Sequence, residues 1–588
     1  MSYLNVPRLH FAGQFLASPS TINNTASNYI TTPKPPYPTY PPDVPPDNNG
    51  PVLWNPMGVA RFLLNGQNVN GNQMSGCTVQ SVMPAKLPKL PKGQQPAINS
   101  GLLSASNSKD PLIGASIQTM TDDSPPKIVD LDPDQQLATK LIGIRLQLVL
   151  ADGTIGFSMK PGQYLAPPNL TDYAGQGVFE SQIKPTQIVW NTKTKSALFA
   201  DFRTACKSGI SVKFIMGNYD GNINSPTFTM GQIVGVIGPA KRGEPARAAV
   251  GRKYIPQFAN SPYNSGYFQI DTKRKKLILD FGNSVTFNYT DGKSPDLSVT
   301  VSVKGSPMTI ASKLPYTPTN YQLTAGVLEI PLHTADLARL GTNPRQVFSS
   351  GMANSKSVLS EYISKSANDF PTGSYVAISQ LSLRLGYGKS GFVELIARKF
   401  GQPLGGYTLN MGFAQGSPKK GISFPRKVET LKNGKATFQV TTSAPPLEGE
   451  RADIGSLVYY LKGKWQKTSY IGISFWPSNA AGLSVKAYAE YAIPEVPTWV
   501  DDVQPVMVHY MALYPGMKAI HDMSSYKVVK TLGAQLAGVF SIPMDHPAYM
   551  PVTRELNPAI QQMVLKWIKL GMPEKKAAKK AMRKAVLE

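Results

Sequence analysis

Apolar and polar residues alternate with a period of two over much of the first 495 positions. Ile142, Ile144, Leu146, Leu148 and Leu150 stand at every second place, and Asp152-Gly153 closes the run as a turn. Leu297, Val299, Val301 and Val303 repeat the pattern, and so do Leu381, Leu383 and Leu385. This spacing collects the apolar side chains of a strand on one face, which an antiparallel sheet buries. Asn433-Gly434, the strongest short hairpin signal in the chain, leads into KATFQV at 435–440.

The pattern changes after position 495. Residues 502–519 read as a helix that ends near Pro515. After Pro558, the apolar residues Ile560, Val564, Trp567 and Ile568 fall at helical spacing, with Gly571 and Pro573 as the stop. Residues 574–588 then interleave Lys575, Lys576, Lys579, Lys580, Arg583 and Lys584 with alanines, a basic and weakly apolar helix. The predicted fold class is therefore a mainly β multidomain protein of antiparallel sheets and a β-sandwich, with a small α-helical C-terminal domain. The expected divisions are a β-rich domain over 1–318, a β-sandwich-like domain over 319–495 and a helical domain with a basic tail over 496–588. The boundary near Thr317–Gln322 is soft. Residues 17–56, with eight prolines between Pro33 and Pro46, read as a long extended loop, and PAKLPKLPKG at 84–93 as a second one.

Composition adds bounds. The 588 residues include 50 Gly and 51 Pro, 41% are hydrophobic and 9% aromatic, which is a globular composition and not a mainly helical one. Two cysteines, Cys77 and Cys206, exclude a disulfide scaffold and a thiolate zinc cage; they either pair or lie buried as small apolar residues. No apolar run approaches the ~18 residues of a membrane span. The start, MSYLNVPRLHF, lacks the pattern of a classical secretory peptide. The expectation is a soluble protein, cytoplasmic or exported without such a peptide.

The formal net charge is +24. Residues 1–300 carry 27 basic and 18 acidic side chains, a net +9; residues 301–500 carry 21 and 11, a net +10; the last 88 carry 12 and 7, a net +5. A dedicated nucleic-acid module concentrates its excess on one motif. Here the excess is spread over the whole chain, which points to a broadly basic surface, to self-assembly or to an anionic polymer or surface as partner, and away from sequence-specific nucleic-acid recognition.

Several motifs fail on one position. Gly388-Lys389-Ser390 imitates the end of a phosphate-binding loop, but the required first glycine is replaced by Leu383. Asp130, Asp132 and Asp134 alternate as in a calcium loop, but Pro133 intrudes and the twelfth position is Leu141. The five histidines are His10, His333, His509, His521 and His546. The last three lie near Asp501, Asp502, Asp522 and Asp545, the residue types of a His/carboxylate site, at spacings that match no standard metal motif. No metal-ligating or cofactor-binding residue is assigned, and no cofactor is expected. The weak catalytic candidates are His10, Arg8, His509, His521 and His546.

The N-terminal YLNVPRLHFAGQF carries Pro7-Arg8, His10-Phe11 and Gly13 in the order that resembles the opening of the violacein biosynthesis protein B family. KIVDLDPDQQ at 127–136 and FTMGQIVGVIGPAKRGEPARAAVGR at 228–252 extend the likeness over about 300 residues. The resemblance implies an enzyme of oxidative secondary metabolism, one that couples imines derived from an aromatic amino acid, although strand-like patterns stand where that family has a ferritin-like helical region. Residues 502–517 and 549–573 are similar, more faintly, to the first and last helices of cytochrome c domains, without the cysteines that attach haem. The leading expectation from the residues themselves is a non-catalytic binding, assembly or matrix-type protein. The alternatives are the enzyme that the resemblance implies and a non-specific nucleic-acid binder.

Overall fold

The computed structural model describes residues 2–16, 73–87 and most of 96–575; residues 1, 17–72, 88–95, 286–298, 338–345, 348–358, 361–372, 444–468 and 576–588, with several shorter loops, lie outside the described residues. The proline-rich loop at 17–56, the acidic turn at 131–138 and the basic tail from 576 onward are thus not described. The chain is mainly β, built from several sheets, with a small helical cluster near its C-terminus.

The first sheet has eleven strands. Its middle is β1 (Arg8–Leu16), which pairs antiparallel with β2 (Gln73–Met83). A detached two-stranded ribbon follows, β3 (Lys127–Asp130) with β4 (Thr139–Ile142). The chain re-enters the first sheet at Leu146–Val149, and its last two strands there are β5 (Ile210–Gly217) and β6 (Met230–Pro239), with β6 pairing with β1 and with β5. Leu9, Phe11 and Phe15 of β1 join Val79, Val212, Phe214 and Ile237 in one apolar core. Helix α1 (Ala197–Ala205) covers that core with Phe199 and Phe202, and the Ser196 side chain caps its first turn by accepting the Phe199 N–H.

The second sheet contains β7 (Arg252–Pro256), β8 (Gly266–Asp271), β9 (Lys276–Asp280) and β10 (Val327–Pro331), with residues 359–360 on its edge. Residue 318 is the first residue of helix α2 (Pro318–Thr324), and the strand after that helix returns to β9. Val178, Ile215, Val234 and Val236 of the first sheet meet Phe268, Leu279 and Leu328 of the second in a shared core.

The described strands between Ser374 and Ala487 form a β-sandwich of two five-stranded sheets. β11 (Ser382–Leu385), β12 (Ser390–Lys399), β13 (Lys435–Thr442) and β14 (Ala481–Ala487) carry most of its core. Val393, Leu395, Phe438 and Val440 of one sheet meet Leu385, Leu409, Leu483 and Val485 of the other. The helical cluster holds α3 (Gln504–Leu513), α4 (Tyr526–Thr531), α5 (Gly533–Ser541) and α6 (Pro558–Lys569). Ile560, Val564 and Trp567 of α6 pack there against Val503, Met507, Leu536 and Phe540, as their spacing predicts.

One local reading needs correction and a second needs refinement. The alternating run from Ile142 to Leu150 is not one strand: Gly143 takes a positive φ of 88° and separates β4 from a strand over Leu146–Val149. Side-chain space enforces the break, since a Cβ on Gly143 would lie 2.5 Å from Cβ of Pro547. Asn433-Gly434 does form a tight turn, with Gly434 at φ 76°. Gly434 N–H donates to the Leu431 carbonyl at 2.7 Å and Leu431 N–H to the Lys435 carbonyl at 2.8 Å, which closes the turn as a hairpin, and the strands beyond it, Lys427–Glu429 and β13, diverge into opposite sheets of the sandwich. Cys77 and Cys206 are both buried and both free.

At Gly13 the backbone of β1 crowds against that of β2. A Cβ there would lie 2.5 Å from Cα of Cys77 and 2.8 Å from its backbone nitrogen, atoms that cannot rotate away. Gly13→Ala is expected to destabilise the protein by about 1–3 kcal/mol through overpacking, seen as a lower urea midpoint with an unchanged slope. An unchanged midpoint would show that the two strands separate freely at this point.

Candidate functional site

Leu9, Phe11 and Phe15 point into the first core, so by alternation Arg8 and His10 point to the other face of the sheet. That face is not wet. The second sheet covers it, and Arg8, His10 and Lys213 are between 0% and 1% exposed. Register places His10 directly opposite Ser81 on β2 and Val236 on β6, and Val236 opposite Lys213 on β5. One row across the first sheet therefore presents polar groups to the second, and buried polar groups require partners.

The partners come from β9, β10 and the turn before β9. Arg8 Nη2 donates to Glu329 Oε1 at 2.8 Å, Nη1 to the Leu4 carbonyl at 2.6 Å and Nε to His10 Nε2 at 3.0 Å. Arg274 closes on the same carboxylate from the outside, at 3.0 Å to each oxygen. Burial alone would raise the Glu329 carboxyl, but Arg8 and Arg274 overcome it and hold the group below its ordinary range. Because Nε2 of His10 accepts from Arg8, its proton is assigned to Nδ1, which lies 2.8 Å from Ser81 Oγ. The Ser81 hydroxyl donates onward to the Leu323 carbonyl at 2.6 Å. Burial, and then the adjacent Arg8 charge, push the His10 imidazole well below its usual value, so the ring is neutral.

A second cluster stands beside the first. Lys213 Nζ is paired with Asp280 and donates to Asn283 Oδ1 at 2.8 Å, and the Tyr3 hydroxyl donates to the same Asp280 carboxylate. The Tyr254 hydroxyl reaches the Asp280 carbonyl and Ser284. Burial, reinforced by Asp280, raises both phenols well above their ordinary range.

Arg274 carries this seam to the surface. Lys273, Arg274, Lys275 and Lys276 occupy the turn between β8 and β9 and its edge, and Lys273 and Lys275 are exposed. Ser100, Gly101, Arg274, Lys275, Lys276 and Leu332 line a groove of about 240 Å³ beside that turn. Lys276 is buried and donates to Ser100 Oγ at 2.8 Å. Burial lowers its ammonium, against the pull of Glu329. The motif reading above passed over this groove, although four consecutive basic residues at 273–276 are a direct signal of it.

Among the candidates from sequence, Arg8 and His10 stand together inside the seam. The C-terminal histidines are elsewhere. His521 is exposed, His546 packs edge-on against Tyr164 with ring centroids 5.4 Å apart, and His509 lies on α3 with its side chain outside the described residues. Among the described residues no group of three or more His, Cys, Asp or Glu side chains is placed to hold a metal ion, and no helix is long and apolar enough to cross a membrane.

No known family and no curated protein matches the chain. Among solved structures it is similar to the crystal structure of an S-layer protein, at 10% identity and a TM-score of 0.15, over 65% of this chain and 51% of that one. The match spans about half of that protein's length, and a likeness so slight carries no argument about function.

Two outcomes follow from the seam. Glu329→Gln leaves Arg8 and Arg274 without their counter-charge and is expected to cost about 3–5 kcal/mol in urea unfolding; a loss below about 1 kcal/mol would show that water reaches the pair. His10 is held neutral in the folded state while the unfolded chain takes up its proton near pH 6.5. Stability should therefore fall as pH drops below about 6.5, by up to about 1.4 kcal/mol per pH unit, before the carboxylates titrate. In His10→Gln this part of the slope between about pH 6.5 and 5 should disappear, and urea midpoints measured across that window decide it.

Proposed function

We propose that the chain is a non-catalytic binding or assembly protein that holds an anionic polymer on its basic surface. The observation that carries the reading is the way charge is partitioned. The buried carboxylates Glu329 and Asp280 engage Arg8, Arg274 and Lys213 inside the seam, while Lys273 and Lys275 remain exposed on the turn beside the groove. A net charge of +24 distributed in this way attracts polyanions through many weak contacts and a strong salt dependence. The groove is small and shallow in chemistry, lined by cations, a hydroxyl and apolar edges, which suits the anionic substituent of a chain passing over the surface.

A second reading, an enzyme that resembles the violacein biosynthesis protein B family, draws its support from Arg8 and His10 lying 3.0 Å apart. It needs a substrate to reach them, and both are enclosed between the sheets. The first reading asks for no such opening.

Retention on immobilised heparin tests the proposal. The protein is expected to elute only at elevated salt, and the double variant Lys273→Gln, Lys275→Gln to elute earlier, with the slope of log affinity against log salt reduced by about two. Elution of the unaltered protein in the low-salt wash, or identical elution of the double variant, would overturn the reading.

A further inference from the structure

The second cluster of the seam holds more than an ion pair. Every residue of β5 is buried, so Lys213 carries its amine into a dry interior. Its Nζ is paired with the Asp280 carboxylate and donates to Asn283 Oδ1 at 2.8 Å. Asp280 ends β9 and Asn283 stands in the turn after it, and they are 1% and 7% exposed. Gly282, between them, lets the turn come this close to β5. A Cβ there would lie 2.6 Å from Cδ1 of Ile215 and 2.7 Å from the Ala325 carbonyl oxygen. The far end of the Asn283 amide sets its orientation: Nδ2 donates to the Ser265 carbonyl at 2.8 Å, which leaves Oδ1 for Lys213. The Asp280 carboxylate also accepts from the Tyr3 hydroxyl and from Gly282 N–H, the latter at 3.1 Å. Aromatic rings close the surroundings. Lys213 Nζ lies 5.5 Å from the centre of the Tyr3 ring, and Tyr254, bound to the Asp280 carbonyl, packs on Phe268 and Phe281.

An amine, a carboxamide and a carboxyl group in mutual contact, enclosed away from water, are the parts of an aminolysis. We propose that Lys213 and Asn283 join through an isopeptide bond, with Asp280 relaying the protons. Movement of one ammonium proton to Asp280 frees the lone pair of Nζ. Nζ then bonds to Cγ of Asn283, the carbon that carries Oδ1, and the carbonyl electrons move onto Oδ1. Asp280 takes a second proton from Nζ and gives one to Nδ2; the carbonyl re-forms, the Cγ–Nδ2 bond breaks and ammonia leaves. The step balances without an oxidant or a further reactant: amine and carboxamide become amide and ammonia, and Asp280 ends as a neutral acid. Enclosure favours it twice. It holds the reacting groups at contact, which in well-oriented systems is worth effective concentrations on the order of 10⁵ M, and it keeps out the water that would hydrolyse the product. The product also removes a buried ion pair and its desolvation cost. The bond would tie the first sheet to the second across 70 positions of the chain. It lies apart from the groove at 273–276 and does not depend on the polymer-binding reading.

The test is the mass of the full chain, folded, incubated at neutral pH and then denatured. It should be lighter than its sequence by one molecule of ammonia. Trypsin should fail to cut after Lys213, and the digest should contain a branched peptide that joins β5 to the turn after β9, with the link placed by fragmentation between Lys213 and Asn283. Asp280→Asn keeps the shape of the relay without its acid; that protein should keep the full mass and yield the ordinary cut after Lys213. The unaltered protein decides the question by itself if the variant does not fold. A succinimide at an Asn-Gly pair such as Asn433-Gly434 also loses ammonia, but mild base opens it and no branched peptide results. The full sequence mass in the unaltered protein, an ammonia loss that mild base reverses, or an Asp280→Asn protein linked as completely as the unaltered one would each overturn the proposal.

Discussion

The arrangement of the first 330 residues turns on one carboxylate. Glu329 is enclosed between two sheets and gripped by Arg8 from the first and by Arg274 from the turn that opens β9. Taking these charges out of water costs several kcal/mol for each ion, and only close pairing with further hydrogen bonds offsets it. The geometry meets that demand, with Arg274 bound through two parallel N–H donors and Arg8 spending its remaining donors on a carbonyl and an imidazole. The bidentate Arg274 holds the carboxylate in one orientation within the second sheet, and Arg8 of the first sheet meets it there at 2.8 Å, which ties the two sheets at that point. The apolar residues around it supply the stability; the ion pair decides the register.

The other polar contacts take their form from this one. Since Arg8 occupies Nε2 of His10, the proton of that ring sits on Nδ1 and faces Ser81, and the Ser81 hydroxyl is then free to meet the last turn of α2 at Leu323. A helix in the second half of the unit is thereby tied directly to β2, and through His10 and Arg8 to Glu329. Lys213 and Asp280 repeat the scheme two strands along the same row, with Tyr3 and Asn283 filling the remaining positions. Coupled groups of this kind reinforce one another in a dry interior and fail together when one member is removed.

Much of the fold class was legible in the sequence, and most of the site was not, for definite physical reasons. Period-two alternation is a local property, and it marked strands such as β11 and the one over Leu146–Val149, as helical spacing marked α6. Pairing is not local: nothing near Arg8 announces that β1 lies between residues 73–83 and residues 230–239. For the same reason the Asn433-Gly434 turn could be placed but not its sheet partners. The strand RLHFAGQF looks like one with a wet face, because Arg8, His10 and Gln14 alternate with Leu9, Phe11 and Phe15. Only the arrival of β9 and β10 converts that face into an interior, and the acid that makes this tolerable is more than three hundred positions away. The basic run at 273–276 was visible as composition, but its place beside a groove depended on Ser100 and Leu332, which are distant in sequence.

Burial separates the seam from the other ion pairs between packed elements. In the seam, Glu329 and Asp280 face Arg8, Arg274 and Lys213, and every cation lies within 3.0 Å of an anionic oxygen. At the junction of the ribbon with the sandwich, Lys140 Nζ stands 3.8 Å from Asp545, a half-exposed carboxylate that also accepts from Arg247 at 2.9 Å. An ion pair open to water is screened and contributes little, whereas one enclosed between sheets is tolerated only when its charges are closely matched. The placement of charge therefore answers two different demands: enclosed charges are matched closely by partners, and exposed ones such as Lys273 and Lys275 are left to solvent.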